Sequence, residues 1–212
     1  MVKIFEFNPI QERCYVLSDE SREAVIIDCG ALYPVETQAL TSYIAAEGLT
    51  PVAHLLTHAH FDHIFGARFV FDTYGLKPRF AAADAAVYAA AEQMAAAMLG
   101  QRVQLRLPEP GEHVDEATTV ACGTRTITVI ATPGHTPGGV CYYDAHEGVL
   151  FSGDTLFRMS MGRTDLPGGN YATLIASVRR LLATLPPDTT VMPGHGPVTS
   201  IAFENRYNAF AL

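Results

Sequence analysis

Short runs of apolar and β-branched residues, separated by polar turn residues, open the chain. Such runs predict strands when they are four to eight residues long and are bounded by asparagine, proline, serine or aspartate. The turn residues between them are close in sequence, which favours an antiparallel arrangement for the first three. The predicted strands of this first half are residues 3–7, 14–17, 24–28 and 52–57.

Helical patterns with matching stop residues follow these strands. Pro34 suits the first turn of a helix that runs to residue 47, and Gly48 suits its end. Two further helices are predicted at residues 62–74 and 84–99, each followed by a glycine. Asp84 is the predicted N-cap of the last one.

The second half returns to strands and then adds one more helix. Two mixed halves of strands and helices favour two sheets packed face to face, with the helices on the outside. The predicted strands are residues 126–130, 140–143, 149–152 and 190–192, and the predicted helix is residues 171–184.

Composition narrows the class of protein. A length of 212 residues predicts one domain, residues 1–212, with a sizeable core. No apolar stretch approaches the roughly 20 residues of a membrane-spanning helix, and the N-terminus lacks a secretory signal, so we expect a cytoplasmic protein without a membrane partner. The four scattered cysteines fit a reducing compartment, where we expect them to be small buried side chains. A net charge of −8, with 14 Lys and Arg that form no runs, argues against nucleic acid as a partner and favours a small-molecule substrate.

Metal-ligating residue types are concentrated in the segment from Thr57 to His63. If the strand of residues 52–57 continues through His60, its two-residue period places His58 and His60 on the same side, where they can share one ion. Asp62 and His63 follow at the turn into the next helix and suit a second ion. The segment therefore predicts a metal site.

Three more candidate ligands stand on glycine-containing turns that follow apolar strands: His135, Asp154 and His195. Seven candidates exceed the needs of one catalytic ion, which usually takes three protein ligands and a water. Two ions about 3.5 to 4 Å apart can divide them, with Asp154 giving one oxygen to each. Nitrogen and carboxylate donors admit zinc, iron or manganese, and zinc is the expected metal.

The Thr-His-x-His-x-Asp-His segment, followed by separate His, Asp and His turns, resembles the metallo-β-lactamase superfamily. The resemblance implies an α+β fold, a four-layer αββα sandwich of two mixed β-sheets with helices on the outer faces. Within the superfamily, the chain is most similar to short glyoxalase II-like, or hydroxyacylglutathione hydrolase-like, enzymes. The segments that carry this similarity are TPGHTPGG (132–139), SGDTLF (152–157), GRTDLPGG (162–169) and PGHGP (193–197).

Carried over residue by residue, the resemblance implies a ligand set and a reaction. One ion would lie on His58, His60 and His135, a second on Asp62, His63 and His195, and Asp154 would bridge them. The implied reaction is hydrolysis of a thioester such as S-lactoylglutathione by a hydroxide between the metals, which Asp62 also orients. Asp28 matches an early family aspartate that supports the ligands or anchors a loop, and Arg163 stands where the family places a basic substrate-binding residue.

Departures from the family and other interpretations leave alternatives open. We expect this chain to lack the helical C-terminal domain of full-length glyoxalase II. Gly196-Pro197 stands in place of the tyrosine that follows the last ligand histidine in those enzymes, and both departures weaken the case for glutathione. A persulfide dioxygenase would bind one iron on His58, His135 and Asp154. A lactonase or other ester hydrolase, or a non-catalytic metal-binding protein, are further alternatives.

Several residues also have ordinary structural interpretations. Arg163 suits a loop-stabilising salt bridge as well as it suits substrate. The segment 81–99 suits packing, although Tyr88, Met94 and Met98 suit the border of a substrate groove. The remaining histidines, His54, His113 and His146, are expected at the surface or with their hydrogen bonds satisfied.

Overall fold

The computed structural model describes residues 1–211 and contains two β-sheets and a short hairpin. The first sheet has the order β1-β2-β3-β4-β5, and the second has the order β13-β12-β9-β8-β7-β6. β10 and β11 form the hairpin. The strands are β1 (Val2–Phe7), β2 (Glu12–Ser18), β3 (Glu23–Ile27), β4 (Thr50–Leu55), β5 (Pro78–Arg79), β6 (Thr119–Cys122), β7 (Arg125–Ala131), β8 (Val140–Asp144), β9 (Val149–Gly153), β10 (Leu156–Phe157), β11 (Ser160–Met161), β12 (Thr190–Pro193) and β13 (Thr199–Ser200).

Both sheets are mixed, as the family resemblance implied. In the first sheet, β1, β2 and β3 pair antiparallel, whereas β4 lies parallel to β3 and to β5. In the second sheet, β12 lies parallel to β9, and the other pairs are antiparallel. The parallel pairs place the C-terminal ends of β3 and β4, and of β9 and β12, at a common edge in each sheet.

Helices cover the outer faces of the sheets. Apolar side chains of α1 and α3 pack on the first sheet, and those of α6 and α7 pack on the second. No helix within residues 1–211 has both the length and the apolar character that crossing a membrane requires. The helices are α1 (Pro34–Ala46), α2 (Phe61–Ile64), α3 (Ala67–Tyr74), α4 (Ala85–Ala89), α5 (Ala91–Leu99), α6 (Tyr171–Thr184) and α7 (Ile201–Tyr207), with a 3₁₀ turn at Ala82–Asp84.

Two of the predicted helices are interrupted. The expected helix of residues 62–74 divides into α2 and α3 at Gly66, whose N–H donates to the Cys29 carbonyl at 2.8 Å. A side chain at Gly66 would lie 2.5 Å from Cys29 Sγ, so the backbone needs glycine to approach this closely. The expected helix of residues 84–99 divides at Ala90, where the Ala90 N–H is shared between the carbonyls of Ala86 and Val87 in a tightened turn.

The core lies between the two sheets. Tyr15, Leu17, Val25 and Ile27 of the first sheet pack there against side chains of the second, such as Phe151, and are almost completely buried. The layers across the molecule are therefore helices, sheet, sheet and helices. This is the four-layer αββα arrangement that the resemblance implied. All four cysteines are free and buried, which confirms the expectation that they fill space in the core.

Candidate metal centre

Loops that follow the ends of four strands converge at one edge of the two sheets. β4 leads to the segment with His58 and His60, β7 leads to His135, β9 ends beside Asp154 and β12 leads to His195. All seven predicted ligands meet there, and most are nearly inaccessible to solvent. They are His58, His60, Asp62, His63, His135, Asp154 and His195.

The expectation that β4 continues through His60 is wrong. β4 ends at Leu55, and His58 and His60 belong to a loop, with His60 as the N-cap residue of α2. The strand ends because the Thr57 N–H donates to the Asp28 carboxylate at 2.7 Å instead of to a neighbouring strand. His58 and His60 still face one centre, since the loop returns toward the same edge of the sheet.

One cluster consists of three histidines. The candidate ligand atoms of His58, His60 and His135 all lie within 4.8 Å of one another. His60 Nδ1 and His135 Nε2 are separated by 2.8 Å. Three nitrogens this close could hold one metal ion.

The second cluster combines a carboxylate with two histidines. Asp62 Oδ2 lies 3.2 Å from His195 Nε2 and 3.8 Å from His63 Nε2, and the two imidazole nitrogens are 3.3 Å apart. Asp154 stands between the clusters. Its Oδ1 lies 3.3 Å from His63 Nε2, whereas its Oδ2 lies 3.5 Å from His135 Nε2. Each oxygen of this carboxylate therefore faces a different cluster.

The outer ring nitrogens of three of the histidines are held by neighbouring groups. His63 Nδ1 lies 3.0 Å from Asp28 Oδ2, and His135 Nδ1 lies 2.7 Å from the Arg163 carbonyl oxygen. His195 Nδ1 lies 3.2 Å from the carbonyl oxygen of Ile10. Partners of this kind fix the orientation and tautomer of a metal-binding imidazole. The inner nitrogens are therefore aimed at the centre.

Unpaired buried atoms test whether these residues fit metal ions. Within the described chain, His58 Nε2 and Asp154 Oδ1 are buried and make no hydrogen bond. Buried polar atoms are almost always paired, so an unpaired nitrogen and an unpaired carboxylate oxygen at one centre need an explanation. Cations would satisfy both, and the donor set of imidazoles and carboxylates is one that zinc, iron and manganese accept. The residues fit a binuclear metal site.

The electrostatics favour neutral imidazoles at His58 and His60 and an ionised carboxylate at Asp154. Burial lowers the pKa of His58 well below its usual value, and burial together with the charge of His135 lowers the pKa of His60 to about 4. Burial alone would raise the pKa of Asp154, but the facing imidazoles of His63 and His195 hold it well below the usual range. Neutral imidazoles and an ionised carboxylate are the ligand forms that metal binding requires. At His63 and His195, burial opposes protonation, but the facing carboxylates raise the pKa of both, so metal ions would have to displace their protons.

Asp28 supports two ligand segments at once. Its backbone has a φ of +55°, and its carboxylate accepts hydrogen bonds from the Thr57 N–H at 2.7 Å and the Thr57 hydroxyl at 2.8 Å, while facing His63. The carboxylate is 1% exposed. The residue therefore joins the end of β3 to the His58 loop and to α2.

Asp84 is a supporting residue that the sequence did not reveal. It was predicted as a helix N-cap, but its carboxylate makes no capping bond. It accepts instead from the Ala59 N–H at 2.9 Å, from the Thr136 hydroxyl at 2.9 Å and from the Gly138 N–H at 2.6 Å. One buried carboxylate thus joins the His58–His60 loop to the His135 turn. Only the tertiary contact distinguishes this role from capping.

Glu12 is a second supporting residue that the sequence analysis did not identify. The signal that could have revealed it is a carboxylate at the start of a buried strand. It is fully buried, and its Oε2 accepts from the Gly30 N–H at 2.9 Å. Its Oε1 lies 4.0 Å from His63 Nδ1, and burial raises its pKa well above the usual value. A side chain at Gly30 would lie 2.2 Å from the Asp62 carbonyl oxygen, so this tight packing behind the ligands requires glycine.

Two buried tyrosines tie the ligand loops to the opposite sheet. The Tyr142 hydroxyl donates to the Leu56 carbonyl at 2.8 Å, just before the His58 loop. The Tyr15 hydroxyl donates to the Pro193 carbonyl at 2.6 Å, just before the His195 turn. Each sheet therefore fixes a loop that the other sheet carries.

The side chains of Asp62, His135 and Asp154 line a pocket with a volume of about 490 Å³. Arg163 and Met98 also line this pocket. The Arg163 guanidinium donates two hydrogen bonds to the carboxylate of Asp165, each 2.7 Å long. This is the loop salt bridge that the sequence allowed, placed at the mouth of the site.

The histidines outside the cluster differ from one another. His113 bonds to the Phe80 carbonyl, and His146 is exposed, both as expected. His54 contradicts the expectation, because it is fully buried and neither ring nitrogen has a hydrogen-bond partner in the described structure. Its place on β4, between two residues of the central core, turns its side chain toward the helices outside the sheet.

Comparison with known proteins agrees with this geometry. The family model described as "Metallo-beta-lactamase superfamily" matches residues 8–195. The chain belongs to the metallo-β-lactamase superfamily. Among the curated members of the superfamily, it is 37% identical to the probable metallo-hydrolase YqgX of Bacillus subtilis, over 95% of this chain and 93% of that protein. It is 30% identical to the hydroxyacylglutathione hydrolase GloC of Haemophilus influenzae, over 99% of this chain and 97% of that protein.

Solved structures of the superfamily superimpose on the whole chain. BLEG-1 B3 metallo-β-lactamase matches with a TM-score of 0.90 and 39% identity, covering 100% of this chain and 99% of its own. TTHA1623 in a di-iron-bound form matches with a TM-score of 0.87 and 37% identity, covering 98% and 99%. ETHE1 from Myxococcus xanthus matches with a TM-score of 0.81 and 28% identity, covering 100% and 84%. The chain is thus a metallo-hydrolase superfamily member with the αββα fold.

Proposed function

We propose that this chain is a binuclear metal-dependent hydrolase that cleaves thioesters, of which S-lactoylglutathione is the representative substrate. The observation that carries the proposal is the meeting of two three-residue clusters, with Asp154 between them, at one open pocket. A catalytic zinc takes three protein ligands and keeps one position for water or substrate. Seven side chains in this arrangement match the needs of two such ions.

The ligand assignment within this proposal follows the two clusters. His58, His60 and His135 would hold one ion, and Asp62, His63 and His195 would hold the other. Asp154 would bridge them, because its two oxygens face different clusters. We propose zinc as the metal, and the di-iron form of TTHA1623 makes iron the first alternative.

Bound cations supply the nucleophile and the electrophile, since they lower the pKa of a coordinated water to about 7 and polarise a carbonyl oxygen. The protein's own contribution is to hold and orient the reactants. Asp62 lines the pocket with its Oδ2 at 3.2 Å from His195, so its carboxylate is placed to accept a hydrogen bond from a water in the pocket. That bond would orient the water toward a substrate carbonyl.

The pocket favours a leaving group that departs as an anion. Apart from the candidate ligands, the polar side chains that line it are Ser160 and Arg163. Neither is a general acid at neutral pH, because a serine hydroxyl and an arginine guanidinium keep their protons. A thiol has a pKa near 8.5, so it can leave as a thiolate without being protonated. An alkoxide leaves without protonation far less readily. This supports a thioester over an ordinary ester or lactone, as does the name of GloC.

Arg163 is the proposed contact for a carboxylate on the substrate. Its partner Asp165 is exposed, and exposed ion pairs contribute little stability, so an incoming carboxylate can replace it at small cost. Glutathione carries such carboxylates. The proposal therefore places the polar arm of the thioester toward Arg163.

The likeness to ETHE1 makes persulfide oxidation the second candidate function. It is supported by the GRTDL segment at residues 162–166 and by a two-histidine, one-carboxylate set in His58, His135 and Asp154. That mechanism uses one iron. The second cluster of Asp62, His63 and His195 would then have no ion to bind, which is why we favour the hydrolase.

A metal and substrate comparison tests the proposal. Purified protein is analysed for metal content, then loaded separately with zinc, iron(II) or manganese and assayed for thiol release from S-lactoylglutathione and other acyl thioesters. The same preparations are tested on nitrocefin, on a lactone and, in an oxygen electrode, on glutathione persulfide. We expect two ions per chain and thiol release, both strongly reduced by Asp154→Asn.

The matched control is His146→Ala, which removes an exposed histidine that belongs to neither cluster. It should keep the metal content and activity of the unmodified protein. Protein with two ions that hydrolyses no thioester would contradict the proposal. One iron per chain with persulfide-dependent oxygen uptake would establish the second candidate instead.

A further inference from the structure

A second pocket adjoins the metal centre and has no role in the proposed chemistry so far. It has a volume of about 520 Å³ and runs along α4 and α5. Ala86 of α4, Ala90 at the junction, and Met94 and Met98 of α5 line it, the last two on one face of α5. Loop residues including Pro137 form the other wall. We call this pocket the α4–α5 groove.

The α4–α5 groove is lined almost entirely by apolar side chains. Its twelve lining residues include no charged side chain, and Gln93 is the one with a polar side chain. Small alanine side chains leave the space open, and methionines adapt to varied apolar ligands. Met98 is 48% exposed despite its apolar character. A surface of this composition suits a flexible hydrocarbon.

The groove borders the pocket of the metal centre. Met98 and Leu166 line both of them. A molecule whose reacting carbonyl lies beside Asp62 and His135 can therefore extend an arm past Met98 and along α5. The groove and the metal centre are therefore neighbouring parts of the same face.

We propose that the α4–α5 groove binds the apolar acyl chain of the thioester substrate, and that this enzyme acts on medium-length linear acyl thioesters. The inference rests on the proposed thioester hydrolysis. The thiol arm of a biological thioester is rich in amides and charges, and burying it in a groove with one polar side chain would leave hydrogen bonds unmade. The acyl arm therefore binds in the groove, and the polar arm lies near Arg163.

The length of the groove sets the preferred chain length. The nine residues of α5 extend about 13 Å at 1.5 Å per residue. An extended chain advances roughly 1.2 Å per bond, taken from about 3.5 Å for the three bonds of a residue. About eleven bonds therefore span α5, which predicts an optimum near ten to twelve carbons.

An acyl series with one common thiol, N-acetylcysteamine, measures this preference. Complete burial of a methylene is worth about fourfold in affinity, and a groove open to solvent on one side covers about half of it, so we expect about twofold per methylene in kcat/KM. The gain should run from acetyl to about ten to twelve carbons and then stop. Equal kcat/KM for acetyl and decanoyl thioesters would overturn the proposal.

Variants that fill the groove supply the matched comparison. Ala97 lines the groove close to Met98, whereas Ala89 is exposed on α4 and does not line it. Ala97→Phe should abolish the increase with chain length and leave acetyl thioester hydrolysis within about twofold. Ala89→Phe should behave like the unmodified protein. A decanoyl preference that persists in Ala97→Phe contradicts the inference.

Calorimetry with fatty acids separates this inference from the proposed function, because it needs no turnover. The unmodified, metal-loaded protein should bind decanoate about 60-fold more tightly than butyrate, at twofold for each of six methylenes. Ala97→Phe should bind the two equally. If no thioester is cleaved but decanoate binds in this way, the reaction is wrong and the groove assignment stands. If thioesters are cleaved but the two acids bind equally, the groove assignment is wrong.

Discussion

We expect replacement of His54 by leucine to flatten the pH dependence of folding stability between about pH 6.5 and pH 5. His54 lies on β4, paired with Ile26 and Pro78 in the adjacent strands, and is fully buried. Neither of its ring nitrogens has a hydrogen-bond partner in the described structure. Burial therefore lowers the pKa of His54 to about 3.

The size of the effect follows from proton linkage. In the unfolded chain, a histidine has a pKa of about 6.5, so between about pH 6.5 and pH 3 the unfolded state binds a proton that the folded state does not. The full stability is present above pH 6.5 and decreases by about 1.4 kcal/mol for each pH unit below it. From pH 6.5 to pH 5, His54 alone lowers the free energy of unfolding by about 2 kcal/mol.

Urea unfolding at pH 7.5, 6.5, 5.75 and 5 measures this decrease. The unmodified protein, His54→Leu and the control His146→Leu are compared after treatment with a chelator, so that metal binding does not contribute to the slope. At pH 7.5, His54→Leu should be at least as stable as the unmodified protein, because an apolar side chain replaces an unpaired polar one. His146 is exposed, so its replacement should leave the slope unchanged. Parallel curves for the unmodified protein and His54→Leu would refute the reasoning, since they would mean that His54 gains a proton in the folded state.

Two further predictions concern the metal centre. Asp84→Asn should lower metal affinity about 10- to 100-fold, because the carboxylate joins the loops of His58 and His135. Equilibrium dialysis against zinc measures this affinity, with Asp72→Asn as an exposed control. An unchanged zinc affinity would show that the loops keep their places without the carboxylate. Removal of the metals should lower stability by about 4 kcal/mol for each ion present at 1,000 times its dissociation constant, which urea unfolding with and without chelator detects. Identical unfolding midpoints would show that no ion binds the folded chain preferentially.

Much of the fold follows from local patterns in the sequence. The helix predicted at residues 171–184 is α6 with the same bounds, because its periodicity and its Asn170 cap are both local. Strands β7, β8 and β9 lie where alternating and apolar runs placed them. The interruptions at Gly66 and Ala90 were not predicted. Gly66 is fixed by contact with Cys29, which is remote in sequence.

The candidate ligand side chains could be identified from the sequence alone. Imidazoles and carboxylates at HxHxDH spacing, and on three later turns, are few enough and specific enough in type to define candidates without a structure. The tertiary structure decided how they are held. β4 ends at Leu55 because Asp28 takes the Thr57 N–H, and Asp84 supports two loops instead of capping a helix.

The α4–α5 groove and the buried His54 also depended on the tertiary structure. A helix surface of alanine and methionine has the same pattern whether it packs against a core or borders a pocket, and a histidine in a strand has the same local pattern whether it is buried or exposed. The difference is made by residues distant in sequence, such as Leu166 beside Met98. Local patterns specify the type and spacing of side chains, whereas burial and hydrogen-bond partners arise only when remote segments meet.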